Sequence, residues 1–147
     1  DMTKEQWDSI VETNITAQWL VTRTAIPMMT KSRAIRVLFL SSNAGWHFTP
    51  GVGAYNVSKA ALNNLGASFA AECEEQIPDC DTQINVLDPG EARTEMNQLS
   101  EHSAYEVVPM TLLLLTHQIN GPNGRFFRRD GTHLSFCSAT PYEPRLC

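Results

Sequence analysis

Arg36-Val-Leu-Phe-Leu-Ser41 is a short, continuous apolar run, the way a strand buried on both faces of a parallel sheet reads. Ile84-Asn-Val-Leu87 has the same character and is closed by the turn Asp88-Pro89-Gly90. Arg125-Phe-Phe-Arg128, with glycine-rich turns on either side, reads as a third strand. Helices separate these strands. Thr3 and Gln6 have the Thr-x-x-Gln form of a capping box. From there Trp7, Ile10, Val11, Asn14, Ala17/Gln18, Val21 and Ala25 recur at three- and four-residue steps, predicting one face of a helix that runs to about residue 29. A second helix is predicted over about 54–76, stopping before Pro78, and a third over about 103–116, interrupted by Pro109. Strands at 36–41, 84–87 and 125–128 alternating with helices imply right-handed crossovers and a parallel sheet in an α/β layer fold.

The chain has 147 residues, room for one domain and one core. Its 42% hydrophobic and 18% charged residues are ordinary for a globular protein. A net charge of −5 argues against a nucleic-acid or anionic-membrane partner; Arg125, Arg128 and Arg129 read as a solvated rim. The longest purely aliphatic run, Leu112 to Leu115, is far short of the roughly 20 residues a membrane span needs. Cys73, Cys80, Cys137 and Cys147 form no Cys-x-x-Cys pair, and the opening Asp-Met-Thr-Lys-Glu does not read as a targeting peptide. These features predict reduced thiols and a cytoplasmic location. His47, His102, His117 and His133 have no metal-ligand spacing, so no metal is expected.

Tyr55-Asn-Val-Ser-Lys59 places a phenol and an ammonium one helical turn apart on the same face. A free tyrosine has a pKa of about 10, and a cation held beneath its hydroxyl favours the phenolate, which suits acid/base work. Ser42 lies thirteen residues earlier, where the first strand ends; ligands in open α/β sheets bind at that end. Asn14 is an amide on an otherwise apolar helix face and needs partners if buried. Taken singly, the Tyr–Lys pair also reads as an amphipathic helix pair, Ser42 as a cap and Asn14 as a satisfied core amide.

Asn14-Ile-Thr-Ala17, Val37-Leu-Phe-Leu-Ser-Ser-Asn-Ala-Gly45, Tyr55-Asn-Val-Ser-Lys-Ala-Ala-Leu62 and Ile84-Asn-Val-Leu-Asp-Pro-Gly-Glu-Ala-Arg-Thr94 together resemble the short-chain dehydrogenase/reductase family, in order and in spacing. The late Gly121-Pro-Asn-Gly-Arg-Phe-Phe127 is similar to the final strand of its carbonyl-reductase-like members. The resemblance implies a partial doubly wound Rossmann-type fold and a catalytic tetrad of Asn14, Ser42, Tyr55 and Lys59. It implies Tyr55 as acid/base, Ser42 orienting the carbonyl or hydroxyl, Lys59 assisting Tyr55 and binding the nicotinamide ribose, and Asn14 holding a water that leads to Lys59. It further implies cofactor contacts at Tyr55, Lys59, Pro89, Gly90, Ala92 and Thr94. Ser42, Ala44 and Trp46, with His47 and Phe48 beyond them, are expected to line a substrate pocket, and residues 97–103 occupy the place of a substrate lid. The expected cofactor is NADP or NAD, with NADP favoured, and the expected substrate a small carbonyl or alcohol.

Two family features are missing from the 147 residues: the Thr-Gly-x-x-x-Gly-x-Gly turn and the Asn-Asn-Ala-Gly strand end. Gly51-Val-Gly53 leads straight into Tyr55, and Asn63-Asn64-Leu-Gly66 mimics the second motif but falls inside a helix. The expectation is therefore that residues 1–147 are the carboxy-terminal, catalytic part of one Rossmann-type domain, the amino-terminal cofactor-binding half being absent. Two functions follow from it. One is hydride transfer between carbonyl and alcohol. The other is a catalytically silent fragment acting as an interaction module through its long helices. Ala60, Ala61, Asn64, Ala67 and Ala71 give a small-residue face that allows close helix approach, within the chain or between copies, and the family resemblance implies a homo-oligomer through the helices near 3–29 and 54–76.

Overall fold

The computed structural model describes residues 2–47, 50–95 and 97–134; Cys137 and Cys147 lie outside the described residues. Thr3 opens the first helix as the capping box predicts. Its hydroxyl accepts from the Gln6 amide at 3.2 Å, and the Gln6 side chain accepts from the Thr3 amide at 2.9 Å. The helix runs as α1 (Lys4–Val11), a π turn at Glu12–Thr16, and α2 (Ala17–Met29). The π turn adds close to one residue per turn and rotates everything after it. The buried position downstream is therefore Thr22, with Ile26 and Met29 packed on the core, while Val21 is 68% exposed. A straight 3.6-residue period puts Val21 inward as well as Ala25, and of the two only Ala25 is half-buried.

Four strands follow the order β1 (Ala34–Leu40), β2 (Asp81–Asp88), β3 (Phe126–Arg128) and β4 (His133–Leu134). β1 pairs parallel with β2 from Ala34↔Asp81 to Leu40↔Leu87, and β2 pairs parallel with β3. The α/β class and three parallel strands stand as expected. The short antiparallel β4 makes the sheet mixed.

Burial is distributed differently from the sequence reading. In β1 only Ile35 and Phe39 are buried, and Leu40 is exposed. In β2 six consecutive residues, Gln83 to Asp88, are buried. β1 lies at the edge of the described sheet and β2 in its interior, so β2 is the strand covered on both faces. α3 (Gly53–Gln76) covers one face, where Leu62, Phe69, Ala70 and Cys73 meet Ile35, Phe39, Ile84, Val86 and Phe126. α4 (Val108–Leu115) covers the other, where Met110 and Leu114 meet Leu87 and Phe127. Pro109 starts α4 rather than interrupting it: a first-turn proline has no backbone bond to lose.

Polar residues in β2 fasten the loop that follows α4. The Asn85 amide donates to the Pro122 carbonyl at 2.7 Å and accepts from the Arg125 amide at 3.1 Å. At the amino ends of the strands Arg36 pairs with Asp81 and also donates to the Asp81 carbonyl at 2.9 Å. No helix among the described residues is long and apolar enough to cross a membrane.

α3 approaches the sheet over Gly66. A Cβ there would lie 2.6 Å from Val86 Cγ2 and 3.1 Å from the Phe39 ring. Gly66→Ala is expected to cost about 1–3 kcal/mol by overpacking, read as a lowered urea midpoint.

Burial pushes the Asp81 carboxyl upward, but hydrogen bonds from Arg36, the Asn120 amide and Gln83, with the Arg36 charge, outweigh it and hold the group below its ordinary 3.8. A depressed carboxyl stabilises the fold above its unfolded value. That contribution disappears as pH falls through the lower folded value. Asp81→Asn is expected to flatten the stability–pH curve below about pH 4, measured by urea unfolding at stepped pH.

Candidate active site

The carboxyl ends of β1 and β2 form one rim. Ser41 donates its amide to the Leu87 carbonyl at 2.8 Å, which continues the ladder and sets Ser42 beside the Asp88-Pro89-Gly90 turn. Ser42 then caps a tight 3₁₀ turn at Asn43–Gly45. Its hydroxyl accepts from the Ala44 amide at 3.1 Å and donates to Asn43 Oδ1 at 3.2 Å. Ala44 is buried beneath that turn, whereas Trp46 is 39% exposed and stacks obliquely on His47. Phe48 lies outside the described residues.

α3 brings Tyr55 and Lys59 to the same rim, with the Lys59 ammonium 5.5 Å from the centre of the Tyr55 ring. Lys59 Nζ donates to the Leu40 carbonyl at 2.9 Å. Since Ser41 turns its amide towards β2, the alternating neighbour Leu40 turns its backbone groups outward, so Lys59 caps a carbonyl on the free edge of β1. An ammonium has three donors, and this bond leaves two. Burial lowers the Lys59 pKa.

Asn14 lies in the π turn, a distortion that sequence periodicity does not reveal. Its amide donates to the Ser58 hydroxyl at 3.0 Å, and Ser58 in turn donates to the Tyr55 carbonyl at 2.9 Å. Asn14, Gln18, Leu38, Leu40, Lys59 and Leu62 line one recess of about 290 Å³. Gln18 was visible only as part of the amphipathic face.

The other arm of the rim is set by Asp88, which is buried. Its Oδ1 accepts from the Gly90 amide at 2.9 Å, and Gly90 adopts φ +67. Arg129 closes the turn, with its amide on the Asp88 carbonyl at 3.0 Å and its guanidinium on the Glu91 carbonyl at 2.9 Å. Pro89 and Ala92 are half-buried and Thr94 is exposed, bridged to Asn97. The arginines that read as a rim therefore include one, Arg129, that holds this turn.

The parallel strands thus carry a Tyr–Lys helix pair and a serine at their carboxyl rim. The chain belongs to the short chain dehydrogenase family, whose model matches residues 1–104. It is similar to rat dehydrogenase/reductase SDR family member 4, at 32% identity over 114 residues, 76% of this chain and 39% of that protein. It is also similar to the NADP-dependent (R)-specific alcohol dehydrogenase of Lentilactobacillus kefiri, at 31% identity over 65% of this chain and 38% of the enzyme. A short chain dehydrogenase from Escherichia coli CFT073, solved with NADPH, shares the fold with a TM-score of 0.78 at 23% identity, over 88% of this chain and 55% of that one. The chain thus spans about two fifths of the length of these curated relatives.

One expectation is corrected by the match. It covers the amino-terminal residues 1–104 of this chain and leaves the segment that reads as a final strand, residues 121–127, outside it. The chain is a partial member of the family, but its assignment as a carboxy-terminal catalytic portion does not stand. That assignment leaned on Gly121-to-Phe127 and on two missing glycine and asparagine motifs, and neither fixes which part of a family domain a chain represents.

Gly45 lets the Ser42 turn sit against α3. A Cβ there would meet the Lys59 backbone at 2.8 and 2.9 Å, atoms that cannot swing aside. Gly45→Ala is expected to cost about 1–3 kcal/mol, seen as a lower urea midpoint, with the amide resonances of Ala44 and Trp46 moving most in NMR spectra.

Proposed function

We propose that these 147 residues form a catalytically silent piece of an NADP(H)-type carbonyl/alcohol oxidoreductase domain, acting as an interaction module through its helices. The observation that carries this reading is the outward apolar run Trp19-Leu20-Val21 on α2, exposed by 39, 46 and 68%. Trp7 on α1, Met28 on α2 and Val57 on α3 are exposed as well. Single exposed apolar residues need no explanation, but Leu20, Val21 and Met28, which fall on one side of α2 two turns apart, favour a partner surface. A second copy of the chain, meeting through Lys4–Met29 and Gly53–Gln76, fits it. A cytoplasmic location and a single domain accord with this reading.

The chemistry belongs to the layout of Asn14, Ser42, Tyr55 and Lys59. A bound nicotinamide supplies or takes the hydride at the carbonyl carbon. In the reducing direction Tyr55 would give its proton to the carbonyl oxygen, Ser42 would hold that oxygen by a hydrogen bond, and Lys59 would offer its two remaining N–H groups to a ribose. Asn14, on the recess it shares with Lys59, would hold a water for proton resupply. Pro89, Gly90, Ala92 and Thr94 would back the nicotinamide, and Ala44 and Trp46 would border the substrate. These groups fit the nicotinamide end of a dinucleotide. NADP is preferred because the Lentilactobacillus relative is described as NADP-dependent and the E. coli structure holds NADPH.

Silence and association are tested together. Calorimetric titration of the 147-residue chain with NADPH and NADH is expected to show weak binding or none, with no reduction of aldehydes or ketones. Analytical ultracentrifugation is expected to show an oligomer that Val21→Glu dissociates. A monomer that turns over with NADPH would overturn the proposal. Turnover in any longer form should then fall about 10²–10⁴-fold in Tyr55→Phe.

A further inference from the structure

Asn63 sits four residues beyond Lys59 and eight beyond Tyr55 on α3, so the three share one helix face. It is 3% exposed. Its Oδ1 accepts a hydrogen bond from the hydroxyl of Ser41, the residue directly before Ser42. The same hydroxyl lies 3.4 Å from the Lys59 carbonyl, and the Ser41 amide is tied to β2 through Leu87. On its other side Asn63 lies against Gly45, where a Cβ would come within 2.5 Å of Nδ2. That Nδ2 is buried without a hydrogen-bond partner.

An unpaired buried amide costs about 1–3 kcal/mol. A leucine of similar volume would carry no such penalty, so packing alone does not account for an asparagine here. Its polar atoms instead meet both ends of the Ser42 segment: Oδ1 the serine before it, Nδ2 the glycine at the close of its turn. We infer that Asn63 is a positioning residue, tying the Ser41–Gly45 segment to the helix that presents Tyr55 and Lys59 and so setting the separation of Ser42 from Tyr55. The inference rests on the reading of Ser42 and Tyr55 as one site. Residues behind a site that lock its members commonly decide whether its geometry holds.

The test needs no turnover. The full chain is labelled with 3-fluorotyrosine, and the Tyr55 fluorine resonance is assigned by its loss in Tyr55→Phe. Tyr105, 81% exposed in the 3₁₀ turn that precedes α4, is the internal control. Asn63→Leu and Ser41→Ala are each expected to shift or split the Tyr55 resonance while leaving Tyr105 unchanged, and the double variant is expected to look like either single one. Should Asn63→Leu fail to fold, Ser41→Ala decides alone, because it breaks the same bond from the other side. A Tyr55 resonance unmoved in the folded variants would overturn the inference, as would equal movement of Tyr55 and Tyr105, which marks a general loosening. The acid/base role of Tyr55 is judged separately, by turnover of Tyr55→Phe in a longer form, so the two ideas fail independently.

Discussion

The contact on which the structure depends is the close approach of α3 to the β1–β2 ladder. Gly66 lets the helix settle on Val86 and Phe39, and Gly45 lets the turn after β1 settle on the backbone of Lys59. Between these two points Lys59 and Asn63 are held against the sheet, with Tyr55 one helical turn before Lys59. Interiors packed at crystal density transmit small displacements rather than absorbing them. A methyl group at either glycine would therefore move the rim residues together with the core, so one contact serves both the fold and the layout of the site.

Much of this was legible in the sequence, for identifiable reasons. Thr3 and Gln6 announced the first helix because a capping box is a local device. α3 was bounded correctly because Pro78 stops it and nothing within its 24 residues breaks it. Ser42 and the Asp88-Pro89-Gly90 turn were each legible as the close of a strand. What escaped depended on context. The π turn at Glu12–Thr16 rotated α2 by a residue, and no composition marks such a turn. Asn63 resembled a cofactor motif in the wrong element, and its bond to Ser41 spans 22 residues of sequence. Arg129 read as a solvated rim because its acceptors, Asp88 and Glu91, are brought near only by the β2–β3 pairing. The assignment of the chain to one end of a family domain failed for a related reason: it was built from motifs, and the matched span is a property of the whole alignment.

The recess beside the rim combines the amides of Asn14 and Gln18, an ammonium and leucines within about 290 Å³. Lys59 is the ionisable group among the described residues that line it, and burial lowers its pKa. Its bond to the Leu40 carbonyl partly offsets that cost, and two of its donors are left for a ligand. The charge of the recess therefore rests on one side chain that is poorly solvated. An anionic or hydroxyl-rich group entering there would gain more from it than from a surface lysine.

That same bond bears on the open edge of the described sheet. β1 ends the described sheet, and an edge strand offers its outward carbonyls and amides as a template on which a foreign strand can assemble. By capping the Leu40 carbonyl, the Lys59 ammonium occupies the last outward acceptor of that template and sets a positive charge beside it. An extended segment docking there would have to displace a cation as well as water. The lysine that reads as a cofactor ligand thus also sets a positive charge at the end of the described edge strand, where unpaired backbone groups are otherwise open to strand addition.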